Sequence, residues 1–158
     1  AGTGPKITHI TPGVVQDLGI KDANNMGAAM APAAYDTLFH FLQDTGMRPN
    51  DFDLIASGDL GKVGKSLLHD LFHKDGIDLS KVYDDCGVMI YSADQDVHAG
   101  GSGCGCSAVV LCGYILNQMR SGKLKNVLFM GTGAMMSPVS CQQGQSIPGI
   151  CHLVCFSA

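Results

Sequence analysis

Short apolar runs alternate along this chain with segments whose apolar residues repeat at helical spacing, and this alternation limits the possible folds most strongly. Five runs are typical of strands and three intervening segments are typical of helices, which gives the order βαβαβαββ. Such alternation predicts a mostly parallel sheet with right-handed crossovers, to which the final pair adds an antiparallel strand. We therefore expect an α/β fold with a five-stranded mixed, mostly parallel sheet and helices on both faces. The predicted strands cover residues 6–18, 52–56, 82–91 with a break at Asp84-Asp85, 127–130 and 150–156.

Composition narrows the function classes. Hydrophobic residues make up 46% of the 158 residues and charged residues 15%, which favours a well-buried core over disorder. The net charge of −4 argues against a nucleic-acid partner. The apolar runs are too short to span a bilayer, and the N-terminus lacks a signal-peptide pattern. We expect residues 1–158 to form a single domain. The missing initiator methionine and the low charge suggest one half of a larger protein, with a surface that another domain covers.

A glycine-rich stretch at residues 96–107 leads into the third predicted helix. Glycine lets backbone approach closely, and a helix N-terminus offers N–H donors with a partial positive charge. Together they predict a binding place for an anion such as a carboxylate, phosphate or thioester oxygen. His98 stands just before the glycines. It is either a loop histidine bonded to backbone or a group that transfers a proton or binds an oxyanion.

Residues 58–66 end in Gly64-Lys65-Ser66 between a strand and a helix, like a phosphate-binding P-loop. That motif needs a glycine five residues before its Gly-Lys pair, where this chain has Asp59. An aspartate there would repel phosphate. The preferred interpretation is a tight strand-to-helix turn with solvated lysines.

Seven cysteines without regular spacing indicate a reducing compartment with few or no structural disulfides. Cys112, Cys151 and Cys155 lie in apolar runs and are expected to behave as small hydrophobes. No metal site is expected, because the cysteines lack paired ligand spacing and Cys151 and His152 would face opposite sides of a strand. The remaining candidates for a reactive thiol are Cys104, Cys106 and Cys141, the first two through a pKa lowered at a helix N-terminus.

The strand and helix order, the glycine-rich helix start and the Cys-x-x-Gly-Gln loop at 141–145 together resemble the C-terminal half of the thiolase and β-ketoacyl synthase superfamily. Three further segments, 24–34, 53–61 and 137–144, resemble a thiolase-like family of spore-forming bacteria. The resemblance covers essentially the whole chain. It implies a protein of two similar halves, of which this is the second, and thiolase folds are usually dimers.

The same resemblance implies a role. Proteins of this kind bind dipicolinic acid, free or calcium-complexed, for its uptake into the developing spore. They work with membrane proteins of the same sporulation system, so we expect a peripheral location at the spore inner membrane and no cofactor. The expected ligand-binding residues are drawn from three loops: His98, Gly100, Gly101, Ser102, Gly103, Asp59, Ser137, Gln142 and Gln143.

The chain departs from the enzymes of the superfamily at their catalytic positions. Ser57-Gly58-Asp59 stands where condensing enzymes place a histidine, and residues 97–101 match the thiolase Gly-His-Pro-x-Gly motif only partly, through His98. Cys141 matches a thiolase cysteine, but glutamines replace the glycines after it. We expect no catalytic residues and a retained pocket. The alternatives are an active acyltransferase using His98 and Cys141, and a scaffold that docks to membrane sporulation proteins.

Overall fold

The computed structural model describes residues 4–158, without the side chain of Cys104. Its five strands are Lys6–Thr11 (β1), Leu54–Ser57 (β2), Tyr83–Asp85 (β3), Asn126–Ala134 (β4) and Gly149–Ser157 (β5). They form one mixed sheet in the order β1-β5-β4-β2-β3. Strands β2, β3 and β4 pair in parallel, whereas β5 is antiparallel to both β4 and β1. Four strands thus point one way and β5 the other, as the sequence predicts.

Helices cover both faces of the sheet. Met26–Thr45 (α1) and Gly61–Lys74 (α2) lie on one face. The other face carries the short helix Cys86–Met89 (α3) and a continuous helical stretch made of Cys104–Val110 (α4), a π-helical turn at Leu111–Ile115, and Leu116–Arg120 (α5). A single-turn 3₁₀ helix spans Pro49–Asp51, and a short helix spans Pro138–Gln142 (α6).

Successive side chains of the buried strands point to opposite faces of the sheet, and this alternation produces the two layers. Ile55 of β2 packs against the α1–α2 layer, and its neighbour Ala56 packs against the α4–α5 layer. Leu128 and Val127 of β4 divide in the same way. The two hydrophobic cores therefore share one sheet, which is why these strands are apolar on both faces.

Local capping sets both ends of α1. The side chain of Asn25 accepts a hydrogen bond from the backbone N–H of Ala28. Gly46 ends the helix with φ of 69°, and its N–H donates to the carbonyl oxygen of Leu42. Sequence-level capping rules thus place both ends of the longest helix.

Three predicted segments are wrong in detail. The first strand ends at Thr11 rather than at residue 18. Pro12 has no N–H to donate to a neighbouring strand, and the backbone of Gly13 lies directly against the carbonyl oxygen of Cys151. The proposed strand 88–91 is not formed, since Asp85 caps α3 through the N–H of Gly87. The loop expected at 141–145 begins within a short helix, α6, which Ser137 caps and Pro138 begins.

Within the described residues 4–158, no helix combines the length and the apolar character needed to cross a membrane. Residues 1–3, part of the N-terminus judged to lack a signal pattern, lie outside the described residues.

Candidate functional site

The parallel strands β2, β3 and β4 end at one edge of the sheet, where ligands of open α/β sheets usually bind. The turn after β2 carries Asp59, and β4 carries Thr132 beside it. The Thr132 hydroxyl donates to Asp59 Oδ1 at 2.9 Å, and the N–H of Gly103 donates to Asp59 Oδ2 at 2.9 Å. The Ser102 hydroxyl lies 3.5 Å from the same Oδ2. One carboxylate thus joins the β2–α2 turn, strand β4 and the glycine-rich loop.

This arrangement changes the role of the predicted anion site. Gly103 is the N-cap of α4, so its N–H belongs to the helix terminus that we expected to hold a ligand anion. The protein supplies an anion of its own there, the partly buried carboxylate of Asp59. A negative charge at this position is stabilised by the helix dipole. A second anion would meet both the charge of Asp59 and a terminus that is already partly neutralised.

A second carboxylate, that of Asp85, holds the same β2–α2 turn through hydrogen bonds. Asp85 is fully buried. Its Oδ2 accepts from the Ser57 hydroxyl at 2.6 Å and from the N–H of Leu60 at 2.9 Å. Its Oδ1 accepts from the N–H groups of Gly61 and Gly87, both at 2.9 Å. Burial raises the pKa of Asp85, while these hydrogen bonds lower it. The carboxylate accepts hydrogen bonds from backbone N–H groups at the start of α2 and at the start of α3. It therefore sets the position of the turn that carries Asp59.

Asp85 was not among the expected site residues, because Asp84-Asp85 was interpreted as a break in a strand. An aspartate two residues before a glycine, at the end of a predicted strand, is the signal that could have revealed it as a cap. Tyr83 completes the buried group, since its hydroxyl lies 2.8 Å from that of Ser57. Burial raises the pKa of the Tyr83 phenol far above its ordinary value.

The glycines of the loop serve backbone packing. The N–H of Gly101 donates to the carbonyl oxygen of Gly87 at 2.7 Å, and the N–H of Lys62 donates to that of Ala99 at 2.8 Å. A Cβ at Gly87 would lie 2.3 Å from the carbonyl oxygen of Gly101. A Cβ at Gly100, where φ is 107°, would lie 2.5 Å from the Gly87 carbonyl oxygen. The loop therefore lies against α2 and α3 at distances that only glycine allows.

His98 projects away from this packed loop. Its side chain is 90% exposed, and Nδ1 lies 3.5 Å from Oδ1 of Asp96, which is equally exposed. Its φ of 48° is in the left-handed region, which non-glycine residues adopt uncommonly. The ring stands in solvent beside an acidic neighbour and makes no recorded contact with Asp59.

The third predicted contributor is the β4–β5 loop. Ser137 uses its hydroxyl to cap α6, accepting from the N–H of Ser140 at 3.0 Å. Gln142 and Gln143 are exposed, and the Gln143 side chain accepts from that of Gln145. The recorded hydrogen bonds of this loop are internal or reach the β1–α1 segment, as between Ser146 and Asp17. The structure therefore brings Asp59, Ser102 and Gly103 together, but joins neither His98 nor the glutamines to them.

The two thiols that the structure describes at this edge, Cys86 and Cys106, are not poised as nucleophiles. Cys106 is buried, and burial raises its pKa, with Asp59 and Asp85 adding to the shift. The expectation of a lowered pKa at Cys106 is therefore wrong, because burial of the thiol disfavours its charged form. Burial likewise raises the pKa of Cys86 to about 12. Cys141 is partly exposed, and the side chain of Cys104 lies outside the described residues.

The remaining sequence motifs have structural roles. The P-loop-like segment forms the predicted strand-to-helix turn, with Lys65 paired to Asp84 at 2.7 Å. Cys151 is buried and His152 exposed, on opposite sides of β5 as predicted. Cys112 is exposed, contrary to expectation, since it lies on the outer side of the helical stretch rather than on its sheet-facing side. Among the described residues, no group of three or more histidine, cysteine or acidic side chains is arranged to hold a metal ion.

Comparisons with known proteins agree with this fold. A family model described as stage V sporulation protein AD matches residues 1–157. Stage V sporulation protein AD of Bacillus subtilis (strain 168) is 48% identical over 151 residues, which cover 96% of this chain and 45% of that protein. The chain thus spans about half the length of its curated relative.

Two solved structures have the same fold. The 3-oxoacyl-acyl-carrier-protein synthase III of Aquifex aeolicus VF5 aligns with 98% of this chain and 54% of its own, at TM-score 0.50 and 14% identity. Cerulenin-bound OleA of Xanthomonas campestris aligns with 98% of this chain and 38% of its own, at TM-score 0.52 and 14% identity. At this identity the likeness shows a shared thiolase-like fold and nothing about the reaction.

Proposed function

Because the chain belongs to the stage V sporulation protein AD family and has a thiolase-like fold, we propose that it is the C-terminal half of a non-catalytic protein that binds dipicolinic acid. The ligand, free or calcium-complexed, would be taken up into the developing spore. The proposed site is the sheet edge described above, completed by the rest of the protein. One observation carries the non-catalytic part of the proposal, namely the engagement of Asp59 by Thr132 and Gly103.

That observation bears on catalysis directly. Acyl-transfer enzymes need N–H or side-chain donors aimed at an oxygen that becomes negative in the transition state. Here the helix terminus donates to Asp59 instead. Of the two described candidates for proton transfer that the sequence offers here, His98 is in solvent and Cys106 is buried with a raised pKa, so neither is placed to move a proton at the Gly103 N–H. The described residues therefore favour binding over turnover.

A planar ring with two carboxylates needs donors around its rim, and the exposed side chains offer several. Ser102, Gln142 and Gln143 are neutral donors in exposed loops, and His98 adds a histidine next to the glycines. Asp59 adds a negative charge that its hydrogen bonds to Thr132 and Gly103 hold in place. It disfavours a free dianion and favours a ligand whose charge calcium offsets. Gly100, Gly101 and Gly103 shape the wall of the site through their backbone.

The test is calorimetric titration of dipicolinate, with and without calcium, into the full-length protein that carries this sequence. His98→Ala and Gln142→Ala are expected to weaken binding, whereas His40→Ala and Gln118→Ala on helices away from the edge serve as matched controls. Unchanged affinity in both loop variants would place the site elsewhere. If no dipicolinate binds under either condition, the proposal fails.

A scaffold function is the second candidate, and one observation favours it. Large apolar side chains are exposed in two places: Ile7, Ile10, Val14, Val15 and Leu18 around β1, and Met135, Met136 and Val139 in the β4–β5 loop. Exposed apolar side chains grouped along short segments favour an interaction surface. We propose that the other half of the protein and membrane proteins of the sporulation system share this surface, at the spore inner membrane, with a second copy as a further partner. Acyltransferase activity, the remaining alternative, would be revealed by acyl-CoA turnover.

A further inference from the structure

Helix α2 carries two histidines on its solvent side. His69 and His73 are four residues apart, so their side chains lie one above the other on the same helix face. Their rings are stacked, with centroids 6.4 Å apart and planes inclined by 11°. His69 is 39% exposed in its side chain and His73 is exposed. Neither residue belongs to the sheet edge proposed for the ligand.

We propose that His69 and His73 form a two-histidine chelate for a late first-row divalent metal ion, with zinc, nickel and copper as the fitting class. Neutral imidazole nitrogens are ligands that these ions prefer, whereas calcium and magnesium prefer oxygen. Two histidines at this spacing on one helix face can converge on a single metal, as in helical zinc motifs. Because no third ligand is arranged beside them in the described residues, water completes the coordination.

The surrounding charges are compatible with a cation. Asp70 Oδ1 lies 4.0 Å from Nδ1 of His69. The carboxylate of Asp70 thus offsets the positive charge of Lys74, which follows His73. Lys65, one turn before His69, is paired with Asp84.

Formation of the chelate requires the two imidazole side chains to rotate toward each other. Imidazole nitrogens must lie about 2.0–2.1 Å from zinc, which brings the two rings closer than their 6.4 Å separation. Both side chains are on the outer face of α2, where rotamers exchange readily. The buried side of the same helix, with Leu68 and Phe72 fully enclosed, keeps the backbone spacing constant while the rings move.

The experiment is titration of NiCl₂ and ZnCl₂ into the full-length protein at pH 7.5, followed by calorimetry and by the metal-induced rise in Tm. His69→Gln and His73→Gln are each expected to weaken binding by at least about tenfold, because loss of even an outer partner weakens metal sites by roughly 10- to 100-fold. The matched control is the double variant His73→Gln/Lys74→His. It keeps two histidines on α2 but turns them to different faces, and should bind as weakly as the single variants.

Several outcomes decide the matter. Binding of nickel or zinc should disappear on acidification, because imidazole must be neutral to bind a metal. Titration of CaCl₂ or MgCl₂ should give no heat that depends on His69 or His73. Copper-induced broadening of the His69 and His73 ring signals in NMR spectra would identify the ligands directly. Wild-type affinity in either single variant, or in the double variant, would overturn the proposal. Circular dichroism establishes that each variant is folded, so that lost binding reports the ligand and not the helix.

Discussion

Replacement of the buried Asp85 by asparagine tests the view that one carboxylate holds the turn that carries Asp59. The side chains have nearly the same shape, so the change removes the charge and one acceptor oxygen without opening a cavity. The lost oxygen faces two donors, either Ser57 and Leu60 or Gly61 and Gly87. The amide nitrogen that replaces it would point a donor at these donors.

Hydrogen bonds to a charged group contribute about 1.5–3 kcal/mol each, and two are lost. Asparagine recovers part of this free energy, because it carries no charge and so avoids the cost of burying one. That cost is what raises the pKa of Asp85. We therefore expect a loss of about 3 kcal/mol in the free energy of unfolding, within the range measured when buried charged networks are broken. In a domain of this size each kcal/mol lowers Tm by about 2–4 °C, so Tm should fall by roughly 6–12 °C.

Urea and thermal unfolding of the full-length protein, followed by circular dichroism, measure this loss. Asp84→Asn is the matched control, because Asp84 is the neighbouring acid and is partly exposed in its pair with Lys65. Exposed pairs contribute about 0–1 kcal/mol. If Asp85→Asn costs less than about 1 kcal/mol, or no more than Asp84→Asn, the anchoring role assigned to Asp85 is wrong.

Three further predictions concern glycine packing, pH and thiols. Gly61→Ala should destabilise the fold more than Gly76→Ala in urea unfolding, because both have positive φ but only at Gly61 would the Cβ lie 2.6 Å from a carbonyl oxygen, that of Ala99; equal losses would contradict the close approach. Hydrogen bonds from the N–H groups of Asn126 and Lys125 hold the pKa of Asp53 below its ordinary 3.8, so its contribution is present above that value and is lost as pH falls through the lower folded pKa. Asp53→Asn should therefore flatten the decline of stability in unfolding measured below about pH 4, and an unchanged decline would refute this. Burial raises the pKa of Cys86 and Cys151 to about 12, so mass spectrometry should find both unalkylated by iodoacetamide at pH 8 until the protein is unfolded, whereas rapid native alkylation would show that they are accessible.

Features encoded by neighbouring residues could be predicted from the sequence. Asn25 and Gly46 delimit α1 because capping is a local property, and the apolar runs of β4 and β5 identify the buried strands. The strand order was not predicted, because pairing of β1 with β5 joins residues as distant as Lys6 and Ser157. Local patterns carry no information on such partners.

The candidate site was predicted in part for the same reason. The glycines at 100–103 and the helix after them are visible in the sequence, and Asp59 was named as a site residue. Its bonds to Gly103 and Thr132 join positions 44 and 73 residues apart, and only the folded chain brings them together. The exposure of His98 was equally hidden, since a loop residue has no periodicity that tells which way it points.

The internal bonds of Asp59 also bear on the entropy of binding. A glycine-rich loop that is free in solution would have to be ordered by its ligand, at a cost in affinity. Here the loop is already tied to α2, α3 and β4 before any ligand arrives. Ordering this wall of the site should therefore cost a ligand little, and the losses on binding should fall mainly on the exposed side chains that surround it.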